Sequence, residues 1–431
     1  MREAQRVAAE AVARVLGGES LSTALPLALD RRKDLAGAER ARAQDLAYGT
    51  LRHYGLLAAV LERLARKAPR PQRLRALLLV ALYQLHATRA APHAVVSEAV
   101  GLAGELAGQG ARGFANAVLR AFQRRSAELV RSAVADDESA RYSHPRWWIE
   151  ALKIQYPGRY RALLETGNGH PPMGLRVNLR RTTLEGYLAL LTEAGLEARP
   201  VPPAGVLLER PVPVERLPRF AEGWVSVQDL GAQLAPAFLD PQPGMRVLDA
   251  CSAPGGKAAH LLEHADVALV ALDRDPERLK RVEANLARLG LSASLLCADG
   301  ADPQRWWDGR PFQRVLADVP CSGSGVVRRH PDIKWLRRAA DLPRFAAEQG
   351  RILDGVWRVL DSGGKLLYVT CSVFAEENQG VIGAFLERHG DARLLPLPGA
   401  ESGMRQLFPD ASQDGFFYAL LGKGSAEPAL G

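Results

Sequence analysis

Asp249-Ala250-Cys251-Ser252-Ala253-Pro254-Gly255-Gly256-Lys257 closes an apolar run at 246–250 and leads into a helix-forming stretch. Two adjacent glycines let backbone approach a ligand closely, and the start of a helix offers free N–H groups. The stretch is not a P-loop: Ala258 follows Gly256-Lys257, and Cys251 stands where that motif needs its first glycine. Nor is it GxGxxG, which argues against a dinucleotide. Working outward, further strand-like runs at 267–272, 294–298, 314–317 and 365–370 alternate with helical stretches. In one of these, Asp275-Pro276 reads as cap and first residue, and Gly290 as the stop. Nearly continuous apolar strands alternating with helices indicate a doubly wound α/β domain, a parallel sheet covered on both faces.

In such sheets ligands sit beyond the carboxyl ends of the strands. The second run ends in Asp273, placed to accept from both hydroxyls of a ribose. The third ends near Asp299, placed to accept from an adenine amino group. A ribose site without a pyrophosphate cradle points to S-adenosylmethionine. The fourth run ends in Asp318-Val319-Pro320-Cys321 and the fifth in Thr370-Cys371-Ser372. If these strands are neighbours, about 4.8 Å apart, both thiols face one pocket beside the methyl donor. Cytosine C5 is a poor nucleophile, but a thiolate adding to C6 turns C5 into an enamine carbon that takes a methyl group. A nearby acid at N3 assists the addition. One thiol attacks, and the second assists release. Cys297, inside an apolar run, is expected in the core, and Cys251 is expected to matter through its backbone.

Four isolated cysteines make neither a disulfide scaffold nor a zinc site, so no metal is expected. The segment 1–132 is helical throughout by periodicity, with Leu74, Leu77, Leu78, Leu82 and Leu85 marking a central core helix. The polar run 135–139 and Ser143-His144-Pro145 suit a linker. A small α+β module is expected over 140–235, with a helix near 147–156, a strand at 175–179 and a helix at 183–195; the catalytic domain spans 236–431. Charge is uneven: residues 1–140 hold 21 Lys+Arg against 14 Asp+Glu, nearly all of the net +8. Arg63, Arg66, Lys67, Arg70, Arg73 and Arg75 crowd together, which suggests a polyanionic partner. No apolar run is long enough for a membrane span, and the start, with Glu3 and Glu10, does not read as a signal peptide. A cytoplasmic protein, monomeric and without membrane contact, is expected.

At this point a resemblance can be stated. DACSAPGGK, LDRD, ADG, DVPCSGSGVVRRHPDIKW and YVTCSVFAEENQG resemble the successive motifs of the NOL1/NOP2/Sun family of RNA cytosine-C5 methyltransferases. Ser226-Val227-Gln228-Asp229 and Asp414-Gly415-Phe416-Phe417-Tyr418 match the same family. The resemblance implies a Rossmann-like S-adenosylmethionine-dependent domain with Cys371 as nucleophile and Cys321 promoting release. It also implies donor contacts from Cys251, Ser252, Ala253, Pro254, Gly255, Gly256 and Lys257, with Asp273 and Asp299. Asp318 is implied close to both donor and cytosine. Leu46–Arg52, 92–100 and 114–120 resemble the RNA-binding NusB fold. That combination is similar to bacterial family members that methylate one cytosine of 16S ribosomal RNA, with a transfer RNA as the alternative substrate.

Two readings from other classes compete. A DNA cytosine methyltransferase would use the Pro-Cys cysteine as nucleophile; the Thr-Cys cysteine and the basic helical domain argue for RNA. An RNA-binding antitermination-like factor with a degenerate enzyme domain would not need Asp273, Asp299, Asp318, Cys321 and Cys371 intact.

Overall fold

The computed structural model describes residues 2–33, 35–65, 67–400 and 402–424; Arg66 of the basic cluster lies outside the described residues. Two compact units emerge, one of Met1–His170 with Val327–Ala339, the other of Pro171–Val326 with Ala340–Gly431.

The first unit is all helical: α1 (Arg2–Leu16), α2 (Leu21–Asp30), α3 (Gly37–Arg52), α4 (Tyr54–Leu64), α5 (Gln72–Ala87), α6 (Pro92–Ala107), α7 (Gln109–Asp136), α8 (Glu138–Tyr142), α9 (Arg146–Gln155) and α10 (Tyr160–Thr166). Helix α5 runs through the middle, and every residue from Ala76 to Gln84 is buried. Each fully buried leucine there stabilises by about 2 kcal/mol. The one polar member, Gln84, is satisfied by Gln5 Nε2 at 2.7 Å. Gly49 of α3 packs so closely on the ring of Tyr83 that a Cβ would fall 2.0 Å from a ring carbon.

The expected linker is a helix junction instead. Helix α7 continues to Asp136, and Asp137 caps α8 by accepting from Ser139 N at 2.9 Å. The polar residues are capping groups and exposed helix ends, whose composition matches that of a loop. The unit also takes in the distant segment Val327–Ala339. There the buried Lys334 donates from Nζ to Arg52 O at 2.9 Å and Asn168 Oδ1 at 2.7 Å. Asp332 accepts from Leu21 N at 2.9 Å, and Trp335 donates to Leu51 O at 2.8 Å.

The second unit contains two sheets. In the smaller, β1 (Met173–Val177), β2 (Ala198–Val201), β3 (Gly205–Leu208) and β4 (Val225–Val227) pair antiparallel in the order β2-β3-β1-β4. Helix α11 (Leu184–Glu193) packs Tyr187 and Leu191 into their core, and Thr183 caps it by accepting from Gly186 N. Helix α12 (Ala235–Leu239) leads into the larger sheet.

That sheet is built from β5 (Arg246–Ala250), β6 (Ala268–Asp273), β7 (Ser294–Cys297), β8 (Phe312–Asp318) and β9 (Leu360–Thr370), all parallel. Helices α13 (Gly256–His264) and α14 (Pro276–Leu289) cover one face; α15 (Asp341–Arg358) and α16 (Gln379–Arg388) cover the other. Asp275 and Gly290 bound α14 as expected, Asp275 accepting from Glu277 N and Arg278 N and Gly290 adopting φ 68°. Three antiparallel strands not foreseen from sequence extend the sheet: β10 (Ala392–Leu394), β11 (Met404–Leu407) and β12 (Phe416–Lys423). The order is β10-β12-β9-β8-β5-β6-β7, with β11 also on β12. The parallel order reverses around β5, between β6 and β8, which places a ligand crevice beyond its carboxyl end.

Cys297 departs from expectation: it is exposed, not core. It ends β7, the last strand of the sheet, so no further strand shields its outer side. Among the described residues no helix is long and apolar enough to cross a membrane.

Candidate active site

The turn after β5 is shaped by backbone constraints that few residues meet. Cys251 adopts φ 62° and Gly255 φ 93°. At Gly255 a Cβ would lie 3.1 Å from Val282 Cα on α14, so both conformation and space require glycine. The turn is tied to β6, with Ser252 N donating to Leu272 O at 2.8 Å and Ala253 N to Asp273 Oδ2 at 3.1 Å. Asp273 Oδ1 accepts from Asp275 N at 3.0 Å. This almost fully buried carboxylate therefore has its position set by backbone on both sides, and each oxygen retains a lone pair.

Asp273 and Asp299 line one small, partly open cleft. Leu272, Ala298, Pro320 and Ile352 contribute apolar walls, and Cys251 and Gly300 reach it as well. The charged side chains of Arg274, Arg278 and Glu348 complete the lining, so two carboxylates at successive strand ends stand among both apolar and charged walls. Burial, with the charges of Asp273 and Asp318 adding, pushes the Cys251 thiol well up.

Parallel pairing of β8 with β9 brings the remaining residues together, with Asp318 opposite Val369. Cys321 Sγ and Cys371 Sγ are 3.3 Å apart. The hydrogen bond to Cys371, then burial, pushes the Cys321 thiol well above the ordinary range, and either sulfur can be the donor in that contact. Lys257, in the first turn of α13, donates to Asp318 Oδ2 at 2.6 Å. Burial alone would lower the lysine's pKa, but the Asp318 carboxylate more than offsets it and the pKa is raised. Beneath them Asp249 is fully buried and accepts from Ser252 Oγ at 2.8 Å. Burial raises its pKa to about 7, and its Oδ1 has no hydrogen-bond partner among the described residues.

Two groups escaped the sequence reading. Arg176 of β1 is wholly buried and makes a two-pronged pair with Glu263 of α13, both contacts at 2.8 Å. It also donates to Gly256 O at 2.9 Å and Gln228 Oε1 at 2.6 Å, fixing the start of the helix that carries Lys257. The other is Glu377, whose carboxylate accepts from Ser322 N and Ser372 Oγ, each at 2.7 Å. The only available signal was position: Glu377 lies in the motif containing Cys371, and Gln228 in the one ahead of β5.

In the helical unit the basic cluster is smaller than its charge count. Arg63 pairs with Asp136 at 2.9 Å, and Arg75 lies 3.9 Å from Glu62. Lys67, Arg70 and Arg73 are exposed and make no ion pair among the described residues.

Comparison with known proteins gives three consecutive matches. The NusB family matches residues 2–124, the RsmF/B-like ferredoxin-like domain 144–215, and 16S rRNA methyltransferase RsmB/F 236–422. Ribosomal RNA small subunit methyltransferase B of Pseudomonas putida is 48% identical over 433 residues, covering 97% of this chain and 98% of its own. The Vibrio cholerae protein of that name is 46% identical, covering 94% of each. Among solved structures, PH0851 has a TM-score of 0.82 at 26% identity, over 98% of this chain and 99% of its own. A methyltransferase homologue from Pyrococcus horikoshii has a TM-score of 0.59 at 29% identity, over 66% and 97%.

Proposed function

Since the chain belongs to the 16S rRNA methyltransferase B family, we propose that it methylates C5 of one cytosine in 16S ribosomal RNA through a covalent Cys371–C6 bond. It does so as a cytoplasmic monomer. The observation that carries this reading is the 3.3 Å approach of Cys321 and Cys371 beside the Lys257–Asp318 pair. A chain that only bound RNA would have no use for two thiols and a half-buried ion pair at the strand ends.

S-adenosylmethionine, the cofactor of this family, supplies an electrophilic methyl group when bound. Asp273 would hold its ribose and Asp299 its adenine, while the Cys251–Lys257 turn would enclose the remainder. The chain's own residues prepare the cytosine. Cys371 sulfur adds to C6, and the displaced electron pair makes C5 nucleophilic. Negative charge grows toward N3, where Asp318, with Lys257 Nζ donating to its Oδ2 at 2.6 Å, provides acid–base assistance. After methylation a base takes the C5 proton, the C5–C6 double bond re-forms as the C6–S bond breaks and Cys371 leaves as thiolate, and Cys321 assists that elimination.

Two expectations test the binding half of this account. Asp273→Ala should cost on the order of 2–3 kcal/mol of donor binding, roughly 30- to 150-fold in Kd by calorimetry. Unchanged affinity would contradict the ribose assignment. The helical unit is proposed to contact RNA phosphates through Lys67, Arg70 and Arg73. Neutralising all three should reduce the log–log slope of RNA affinity against salt by up to ~0.9 per lost contact. An unchanged slope in a folded variant would make these residues a solvated face.

The direct test is methylation of 16S rRNA, transfer RNA and duplex DNA with a labelled donor, followed by nucleoside analysis. Label in 5-methylcytidine from 16S rRNA alone supports the proposal; preference for transfer RNA or DNA contradicts it.

A further inference from the structure

From the hydrogen bonds behind the two thiols, we infer that Glu377 is a positioning residue that holds Cys321 and Cys371 at their working separation. The inference rests on the covalent reading above and deepens it. Each cysteine lies in a loop beyond its strand, Cys321 after β8 and Cys371 directly after β9, and paired strands alone do not fix two loops against one another. Glu377 does so, because its oxygens reach the residue after each cysteine: Oε1 accepts from Ser322 N and Oε2 from Ser372 Oγ.

The clamp is braced from behind. Gln349 donates to Glu377 Oε1 at 3.1 Å and to Pro320 O at 2.9 Å, so the same amide holds the Cys321 loop from its other end. Tyr368 donates to Glu377 O at 2.6 Å. Glu377 is completely buried, and burial raises its pKa, partly offset by the Ser322 and Ser372 hydrogen bonds. Its charge adds to the effects that push the Cys321 thiol up. A buried carboxylate costs stability unless its acceptor sites are filled. Here they are filled by the groups that orient the two thiols, and Glu377 lies on the short turn Ala375–Glu377, beyond Cys371 itself.

The test compares Glu377→Ala with Glu377→Gln, both in a Cys297→Ser background to remove the exposed thiol. Diamide, which takes two electrons and two protons from a dithiol and leaves a disulfide, reads the separation of the pair without any RNA. Glu377→Ala should slow Cys321–Cys371 disulfide formation on the order of tenfold and lower kcat on 16S rRNA at least as much. Donor Kd and RNA KM should stay within about twofold, since lost positioning acts on the reacting atoms and not on ground-state binding. Glu377→Gln retains a carbonyl for Ser322 N and should recover most of both rates. Unaltered disulfide formation and turnover in Glu377→Ala would overturn the inference. So would equal damage in both variants with weakened donor binding, the mark of a merely structural role. If the wild-type chain methylated no RNA, the parent reading would fail, while the disulfide rates would still decide whether Glu377 sets the thiol geometry.

Discussion

Cys321→Ala is expected to accumulate a covalent protein–RNA adduct that survives denaturing electrophoresis, while Cys371→Ala forms none. With Cys371 in place, addition to C6 and methyl transfer still proceed in Cys321→Ala. Elimination stalls, and the RNA stays attached through sulfur. Cys371→Ala removes the nucleophile and should lower kcat by on the order of 10⁴-fold or more. Donor binding should survive, because Asp273 and Asp299 lie at other strand ends. A cysteine that only filled space would cost stability without trapping RNA. An adduct in Cys371→Ala instead would exchange the two roles.

The second large effect concerns the fold beneath the site. Glu263→Ala leaves the Arg176 guanidinium buried, at 0% side-chain exposure, without its counter-charge. Breaking such a pair costs about 3–5 kcal/mol, which should appear as a lower urea midpoint for the second unit. Activity should fall as well, because Arg176 also holds Gly256 O at the start of the helix bearing Lys257. Replacing both partners, Arg176→Met with Glu263→Leu, should restore much of the stability, since no unpaired charge remains. A loss in Glu263→Ala below about 1 kcal/mol would mean that the pair behaves as a solvated one.

The contrast between those two sites explains what could be read from the sequence. Asp273, Asp299, Asp318, Cys321 and Cys371 stand out as candidates because each lies at or just beyond the end of an apolar run, and topology brings such ends to one edge of the sheet. Arg176 and Glu377 stand at no such marked place. Arg176 occupies a strand position where an arginine ordinarily faces water, and its partner is 87 residues away. Glu377 follows Glu376, and nothing local tells the buried carboxylate from its neighbour.

The missed strands have a related cause. The run from Phe416 to Leu421 is buried along its whole length because its two faces pack into two cores, Phe416, Tyr418 and Leu420 into one and Phe417, Ala419 and Leu421 into the other, and a continuous apolar run carries no alternation to reveal its pairing. Cys297 failed in the opposite sense: its strand is apolar by composition, but sheet order makes it an edge. Lys334 shows how far a local reading can fall from the tertiary outcome. Nothing in its polar, charged motif marks it for burial, yet it is wholly buried, with Arg52 O and Asn168 Oδ1 as acceptors.

The central claim is that this chain makes 5-methylcytidine in 16S rRNA through Cys371. Its most direct test supplies unmethylated 16S rRNA and methyl-labelled S-adenosylmethionine to the wild-type chain and to Cys371→Ala, then digests the RNA to nucleosides. The account predicts label in 5-methylcytidine at a single position with the wild-type chain and none with the variant. Label in any other nucleoside, or undiminished 5-methylcytidine from Cys371→Ala, would contradict it.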